Sequence, residues 1–344
     1  MLFFNRRDGV ARLRGSAAAG LAFLLLLDKP CQAQGRVFRS AVDGVTVGVS
    51  VRSSNRSVTG LTGTDFELTD NGVRQDLTTI APEMVPIDLT LLLDLSSSVD
   101  GVLLQRLKTA VADTAALLRD EDRIRLVAVS QVLREVFGFR ARSGVLPLDS
   151  LVAEGATSLY DGIAATMMRS TEPGRRQLIV AFTDGRDSTS IIDEATAREI
   201  ARQTDAVVDI VVPVPDATTE AGPRRLSQRS GSVDALPGGN LSAGARDPQG
   251  RAEGQAFPRV LSDLVGPTAG QVFPIGPTDS LSRVFKAMLD DFRASYVLQY
   301  VPQGVHAEGW HEVAVTVRKH PKYDIRARKG YKGRSTISSS EVIR

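Results

Sequence analysis

Residues 87–98 read IDLTLLLDLSSS. The first eight, Ile87 to Asp94, make an almost unbroken apolar run of strand length that stops at a carboxylate, and the next four form a polar turn. A strand that is apolar at successive rather than alternate positions is buried on both faces, as in parallel sheets covered by helices. Downstream, Leu103, Leu104, Leu107, Ala110, Val111 and Leu118 recur at helical spacing. Strand followed by helix then repeats. Strands are predicted near Ile124–Ser130, Gln177–Thr183 and Ala206–Val212, with helices near Ser158–Arg169, Asp193–Thr204 and Thr278–Phe292. This is the pattern of an α/β domain with a doubly wound, mostly parallel sheet, whose site lies at the carboxyl ends of its strands.

Outside this central unit the period changes to two. Val45, Val47, Val49 and Val51 alternate with Thr46, Gly48 and Ser50; Phe66 and Leu68 continue the alternation, and Asp70-Asn71-Gly72 supplies a tight hairpin turn. The same period returns in YVLQYV (296–301), WHEVAVTV (310–317) and YDIRARKG (323–330). Half-buried strands at both ends predict a small β-sandwich built from the two chain termini, with the α/β domain inserted between them. The resulting organisation is a leader at 1–33, N-terminal sandwich strands at 34–85, the α/β domain at 86–294, C-terminal sandwich strands at 295–334 and a disordered tail at 335–344. Within the central domain, residues 216–256 are rich in Gly, Ser, Arg, Pro and Asp and lack periodicity, which predicts a flexible insertion.

Arg6, Arg7, Arg12 and Arg14 precede an apolar run from Ala17 to Leu27, followed by DKPCQAQ. That run is too short to span a bilayer and reads as a secretory signal with cleavage after Ala33. The expected location is therefore outside the cytoplasm: periplasmic, on the cell surface or secreted. The full chain has 344 residues, 42 Lys+Arg and 40 Asp+Glu. Removing residues 1–33 takes away five basic and two acidic residues and turns the formal net charge from +2 to −1. The basic excess thus belongs to the leader, and nothing in the global charge favours nucleic acid. The single cysteine, Cys31, would leave with it, which excludes thiol chemistry, zinc–thiolate sites and disulfides from the mature chain.

Chemistry concentrates at three predicted strand ends or turns. Asp94 closes the first strand and is followed by Ser96 and Ser98; Thr157 lies in GATSLYDG (155–162), before a helix; Asp184 lies in AFTDGRD (181–187), at the end of another buried strand. Five oxygen donors from three turns would meet above neighbouring strands. With no nitrogen or sulfur in the set, the matching ion is a hard cation such as Mg2+, with Mn2+ or Ca2+ as alternatives. Three neutral hydroxyls and two carboxylates would hold it without filling every position, leaving one free to accept a carboxylate from a partner. Asp161 and Asp187 read as structural carboxylates beside this site.

The Asp-x-Ser-x-Ser turn, the later Thr and the strand-ending Thr-Asp-Gly resemble the metal-ion-dependent adhesion site (MIDAS) of von Willebrand factor type A (VWFA) domains, over roughly residues 86–294. The flanking segments VTGLTGTDFELTDNGVRQDL (58–77), FRASYVLQY (292–300) and RARKGY (326–331) resemble an exported bacterial VWFA-related family. The resemblance implies Asp94, Ser96, Ser98, Thr157 and Asp184 as metal-site residues. It further implies a non-enzymatic binding protein that recognises an acidic group on a protein partner, in adhesion or envelope protein–protein interaction. Two alternatives remain: an assembly protein with a vestigial metal site, and a Mg2+-dependent phosphatase. The latter would need a second Asp two residues after Asp94, where Ser96 stands. No Walker loop, Gly-x-Ser-x-Gly elbow or dinucleotide fingerprint occurs. His306, His311 and His320 lack ligand spacing. Trp310 is expected to pack inside the sandwich, and Arg318–Arg334 to form a solvated strand face.

Overall fold

The computed structural model describes residues 44–54, 56–80, 85–99, 101–169, 172–214, 259–318 and 322–333. The predicted leader, the 216–256 insertion, the 335–344 tail and His320 lie outside these residues.

Every residue of β6 (Ile87–Asp94) is buried, as its continuous apolar run requires. It sits at the centre of a six-stranded sheet with β7 (Arg123–Val129), β8 (Leu133–Ala141), β9 (Arg176–Phe182), β10 (Val207–Pro213) and β11 (Val272–Ile275). The order is β11-β10-β9-β6-β7-β8, parallel throughout except for β8, which runs antiparallel to β7 at one edge. Strand residues alternate between the two faces. Leu89, Leu91 and Leu93 share one core with α1 (Gly101–Ala116) and α4 (Leu281–Ala294). Leu92 points the other way, into a second core with α2 (Leu159–Met167), α3 (Glu194–Gln203) and the helical residues 259–265. The predicted strands and helices of the central unit are present. β8 and β11 were not anticipated.

Nine of the strands lie outside this sheet, in two antiparallel sheets. The first has the order β14-β1-β12-β5, with β2 also paired to β1; the second has the order β15-β13-β3-β4. Their residues are β1 (Val45–Ser53), β2 (Arg56–Ser57), β3 (Phe66–Asp70), β4 (Val73–Arg74), β5 (Thr78–Ile80), β12 (Tyr296–Tyr300), β13 (Gly309–Val317), β14 (Asp324–Ala327) and β15 (Gly330–Gly333). Both sheets bury one face in a common core of Val47, Val49, Val51, Phe66, Leu68, Leu298, Val313 and Val317. N-terminal and C-terminal strands interleave, since β1 pairs with both β12 and β14, and β3 pairs with β13. The predicted Asn71-Gly72 turn forms between β3 and β4, with both residues at positive φ.

Two expectations for the sandwich need correction. Trp310 is 44% exposed, because the buried face of β13 is formed by His311, Val313 and Val317, and Trp310 falls on the opposite parity. The basic C-terminal strand is not simply solvated: the side chain of Arg328 is mostly covered and forms an ion pair with Asp205 of the α/β domain. The sandwich core also holds a polar group. Buried Asp70 accepts hydrogen bonds from Tyr300 (2.9 Å) and Tyr331 (2.8 Å) and lies 2.8 Å from His311 Nδ1. Burial, then the bond to Asp70, raises the Tyr331 phenol well above its ordinary range.

Candidate metal centre

β6 and β9 are neighbouring parallel strands that end at the same edge of the sheet, and each delivers a carboxylate there. β6 ends in Asp94, and Asp184 follows β9 by two residues. Asp94 is buried; Asp184 is partly exposed. Asp94 Oδ1 accepts from Ser96 N (3.0 Å) and from Thr157 Oγ1 (3.2 Å), while Oδ2 accepts from Thr183 Oγ1 (2.9 Å). The Ser96 and Ser98 hydroxyls lie 2.9 Å apart. All five predicted residues therefore belong to one neighbourhood, Asp184 joining through its charge on Asp94 and through adjacent Thr183.

The three loops are fastened to one another by their backbones. Glu154 N donates to Leu95 O (2.7 Å) and Ser97 N to Gly155 O (3.0 Å), joining the first loop to the second. Ser188 N and Thr189 N both donate to Thr157 O (2.9 and 3.1 Å), joining the second to the third. Gly155 turns the second loop at φ +80, a conformation that side-chain-bearing residues rarely adopt. Ser96, Ser98 and Thr157 thus gain their positions from a crosslinked frame, at the entropy cost already met by folding.

Electrostatics give the centre its sign. Burial, the largest effect, raises the Asp94 carboxyl above the ordinary carboxylate range; the charge of Asp184 pushes the same way, and hydrogen bonds from Ser96 and Thr183 oppose them. Among the described residues neither Asp94 nor Asp184 has an ion pair, and the hydrogen bonds they accept come from hydroxyl and backbone amide groups. The centre's donors are all oxygens, with neutral hydroxyls outnumbering carboxylates. That set fits a hard divalent ion, held by Asp94, Ser96, Ser98, Thr157 and Asp184. No group of three or more His, Cys, Asp or Glu is placed to hold a metal among the described residues, so any metal site here depends on hydroxyls.

Thr183 was not among the expected site residues, whereas Asp161 and Asp187 are placed as the structural carboxylates expected beside the site. Thr183 is fully buried; it donates to Asp94 and accepts from Gly185 N (3.0 Å). Its signal was its place immediately after the strand and before Asp184. Asp187 accepts from Leu159 N (2.8 Å) and Ser190 Oγ, capping the start of α2 from a loop 28 residues away. Asp161 holds the same loop by accepting from Ile191 N and Ile192 N (2.8 and 3.1 Å).

Residues 88–231 match the family model of the von Willebrand factor type A domain. The chain carries a von Willebrand factor type A domain. No curated protein sequence matches it. Among solved structures, it is similar to a von Willebrand factor type A protein from Catenulispora acidiphila (14% identity, 83% of this chain and 76% of that one, TM-score 0.45). It is also similar to BatB from Bacteroides thetaiotaomicron (14% identity, 60% and 98%, TM-score 0.39). A third match is proximal thread matrix protein 1 from the mussel byssus (15% identity, 60% and 48%, TM-score 0.43). This chain spans about half the length of the mussel protein. No helix among the described residues is long and apolar enough to cross a membrane.

Proposed function

We propose that the VWA domain is a non-enzymatic, exported recognition module that binds an acidic group on a protein partner through a divalent cation at Asp94, Ser96, Ser98, Thr157 and Asp184. The observation that carries the proposal is the buried Asp94 carboxylate, wrapped by donors from three crosslinked loops and facing a second carboxylate with no cationic side chain bonded to it. Such an arrangement costs stability unless a cation neutralises it. When bound, the cation supplies a Lewis-acidic position for a partner's carboxylate. The protein's own part is to fix the donors. Thr183 and Ser96 N orient Asp94, Asp187 anchors the Thr157 loop to α2, and Ser188 and Thr189 hold the Thr157 backbone. Export rests on the N-terminal leader pattern, and absence of catalysis on the lack of a nucleophile–base pair in the sequence.

Calorimetric titration of Mg2+ or Mn2+ into the purified protein tests the reading. Saturable binding is expected in the wild type and none in the Asp94→Ala, Asp184→Ala double variant. Equal binding by both proteins, or none by either, would reject it. Partner capture that survives a chelator would assign recognition to another surface.

A further inference from the structure

The correction at Trp310 leads to a second site. Trp310 is the chain's only tryptophan, and its ring lies on the outer side of β13, 44% exposed. The ring is seated against Gly330 of β15. A Cβ at that position would stand 2.4 Å from Trp310 Cζ2 and 2.3 Å from the His311 carbonyl oxygen, so only glycine leaves room for this placement. The indole is thereby held against bare backbone, with part of its surface open to solvent.

That surface lines a groove of about 350 Å³ between the sandwich and the α/β domain. α3 contributes Arg198 and Arg202, one helical turn apart; Lys329 comes from the residues joining β14 and β15; Asp263 and Pro267 come from the segment preceding β11. Arg198 pairs with Glu194 and Arg202 with Glu199 along the helix surface, both in solvent-accessible pairs. Exposed pairs of this kind contribute little and leave most donors of each guanidinium available. The side chains of Lys329 and Asp263 have no hydrogen bond or ion pair among the described residues. The groove shares no residue with the metal centre.

We infer that this groove binds an acidic sugar of the uronic acid type. Such a ligand engages the indole, the basic side chains and Asp263 together. The C–H face of a pyranose ring packs on an indole face, part of which is open to solvent here. A ring carboxylate accepts charge-assisted hydrogen bonds from Arg198, Arg202 or Lys329. Asp263, the one carboxylate in the lining, is repelled by a compact inorganic anion but accepts hydrogen bonds from sugar hydroxyls. A neutral sugar leaves Lys329 without a counter-charge and the free donors of Arg198 and Arg202 without a charged acceptor, and an acidic peptide offers no hydroxyl-bearing ring to Trp310 and Asp263. The groove volume falls within the range of small-ligand sites.

A single tryptophan makes the test direct, because the emission of Trp310 reports on this groove and nowhere else. Titrating digalacturonic acid into the full chain is expected to change that emission saturably, with the same response in the presence of a chelator. Lys329→Gln and Arg202→Gln, both at exposed positions where folding is undisturbed, are each expected to weaken binding about tenfold. Asp263→Asn should weaken it too. Trp310→Phe, read by calorimetry, should bind more weakly than the wild type. No saturable response to digalacturonate would overturn the inference. So would an equal response to neutral digalactose, to inorganic phosphate or to a glutamate-rich peptide, or unchanged affinity in the lysine and arginine variants.

Discussion

Asp94 and Asp209 are both buried strand carboxylates, and they separate a functional from a structural use of the same chemistry. Asp94 is raised by burial and by Asp184. Its charged form is therefore disfavoured in the metal-free fold, a cost to stability that grows as pH rises above the ordinary carboxylate range. Asp94→Asn removes that charge and keeps one oxygen for Ser96 N and Thr157. It is expected to raise the melting temperature in chelator while abolishing divalent binding; a lower melting temperature in chelator would contradict the electrostatic account. Asp209 in β10 is pushed up to about 7 by burial, with Asp291 adding repulsion, while Gln271 N (2.9 Å) and Arg326 act the other way. Below about pH 4 both folded and unfolded chains hold this proton, and the group is neutral toward stability. Between about pH 4 and 7 the folded chain retains a proton the unfolded chain has released, so stability falls as pH rises, by on the order of 4 kcal/mol in total. Asp209→Asn should flatten this slope, raising the melting temperature at pH 8 with little change at pH 4. An unchanged difference between the two pH values would show that Asp209 ionises freely in the fold.

Among the elements, α2 depends most on residues distant in sequence. Its own N-cap, Ser158, makes no side-chain capping bond, and Asp187 caps it instead from the loop after β9. Asp187→Ala is expected to cost about 1–2 kcal/mol, as lost helix caps do, and to weaken divalent binding at least tenfold, because the Thr157 loop opens into this helix. Urea unfolding and calorimetry would measure the two effects; full metal affinity in the variant would uncouple α2 from the centre. This dependence also marks the limit of what the sequence discloses. β6 was legible because burial on both faces leaves a continuous apolar run, whereas β8 has only Phe137 fully buried, and short β11 carries Pro274, so neither has a clear period. Asp94, Thr157 and Asp184 were legible from their places at strand ends and before a helix. The cap from Asp187 and the bond from Thr183 to Asp94 were not, since each arises from which strands lie side by side. Trp310 was misplaced although the alternation of Val313, Val315 and Val317 already puts position 310 on the other face of β13; the bulk of the indole was weighed above its parity.

The described residues form three cores, two on the faces of the parallel sheet and one inside the sandwich, and the sandwich core shares no residue with the other two. Neither chain end can complete the sandwich alone, because β1 lies between two C-terminal strands and β13 pairs with β3. Contact with the α/β domain is largely polar. Asp291 of α4 holds Arg52 and Ser57 of the sandwich, Arg328 reaches Asp205, and buried Arg176 donates to Phe292 O (2.9 Å) and Ser295 Oγ where α4 passes into β12. A few polar contacts couple domains less strongly than a shared apolar core does. Two thermal transitions are therefore expected by calorimetry in place of one. A ligand that binds one folded domain stabilises that domain by mass action, about 2.7 kcal/mol at a hundredfold excess over its Kd. For a domain of this size, at roughly 2–4 °C per kcal/mol, that corresponds to about 5–11 °C. Saturating Mg2+ should raise the transition of the α/β domain by this amount and leave that of the sandwich in place, while Asp94→Ala with Asp184→Ala should remove the shift. A single transition that moves as a whole with Mg2+ would mean that the polar junction, together with the direct α4–β12 connection, transmits metal binding into the sandwich and makes the two domains one cooperative unit.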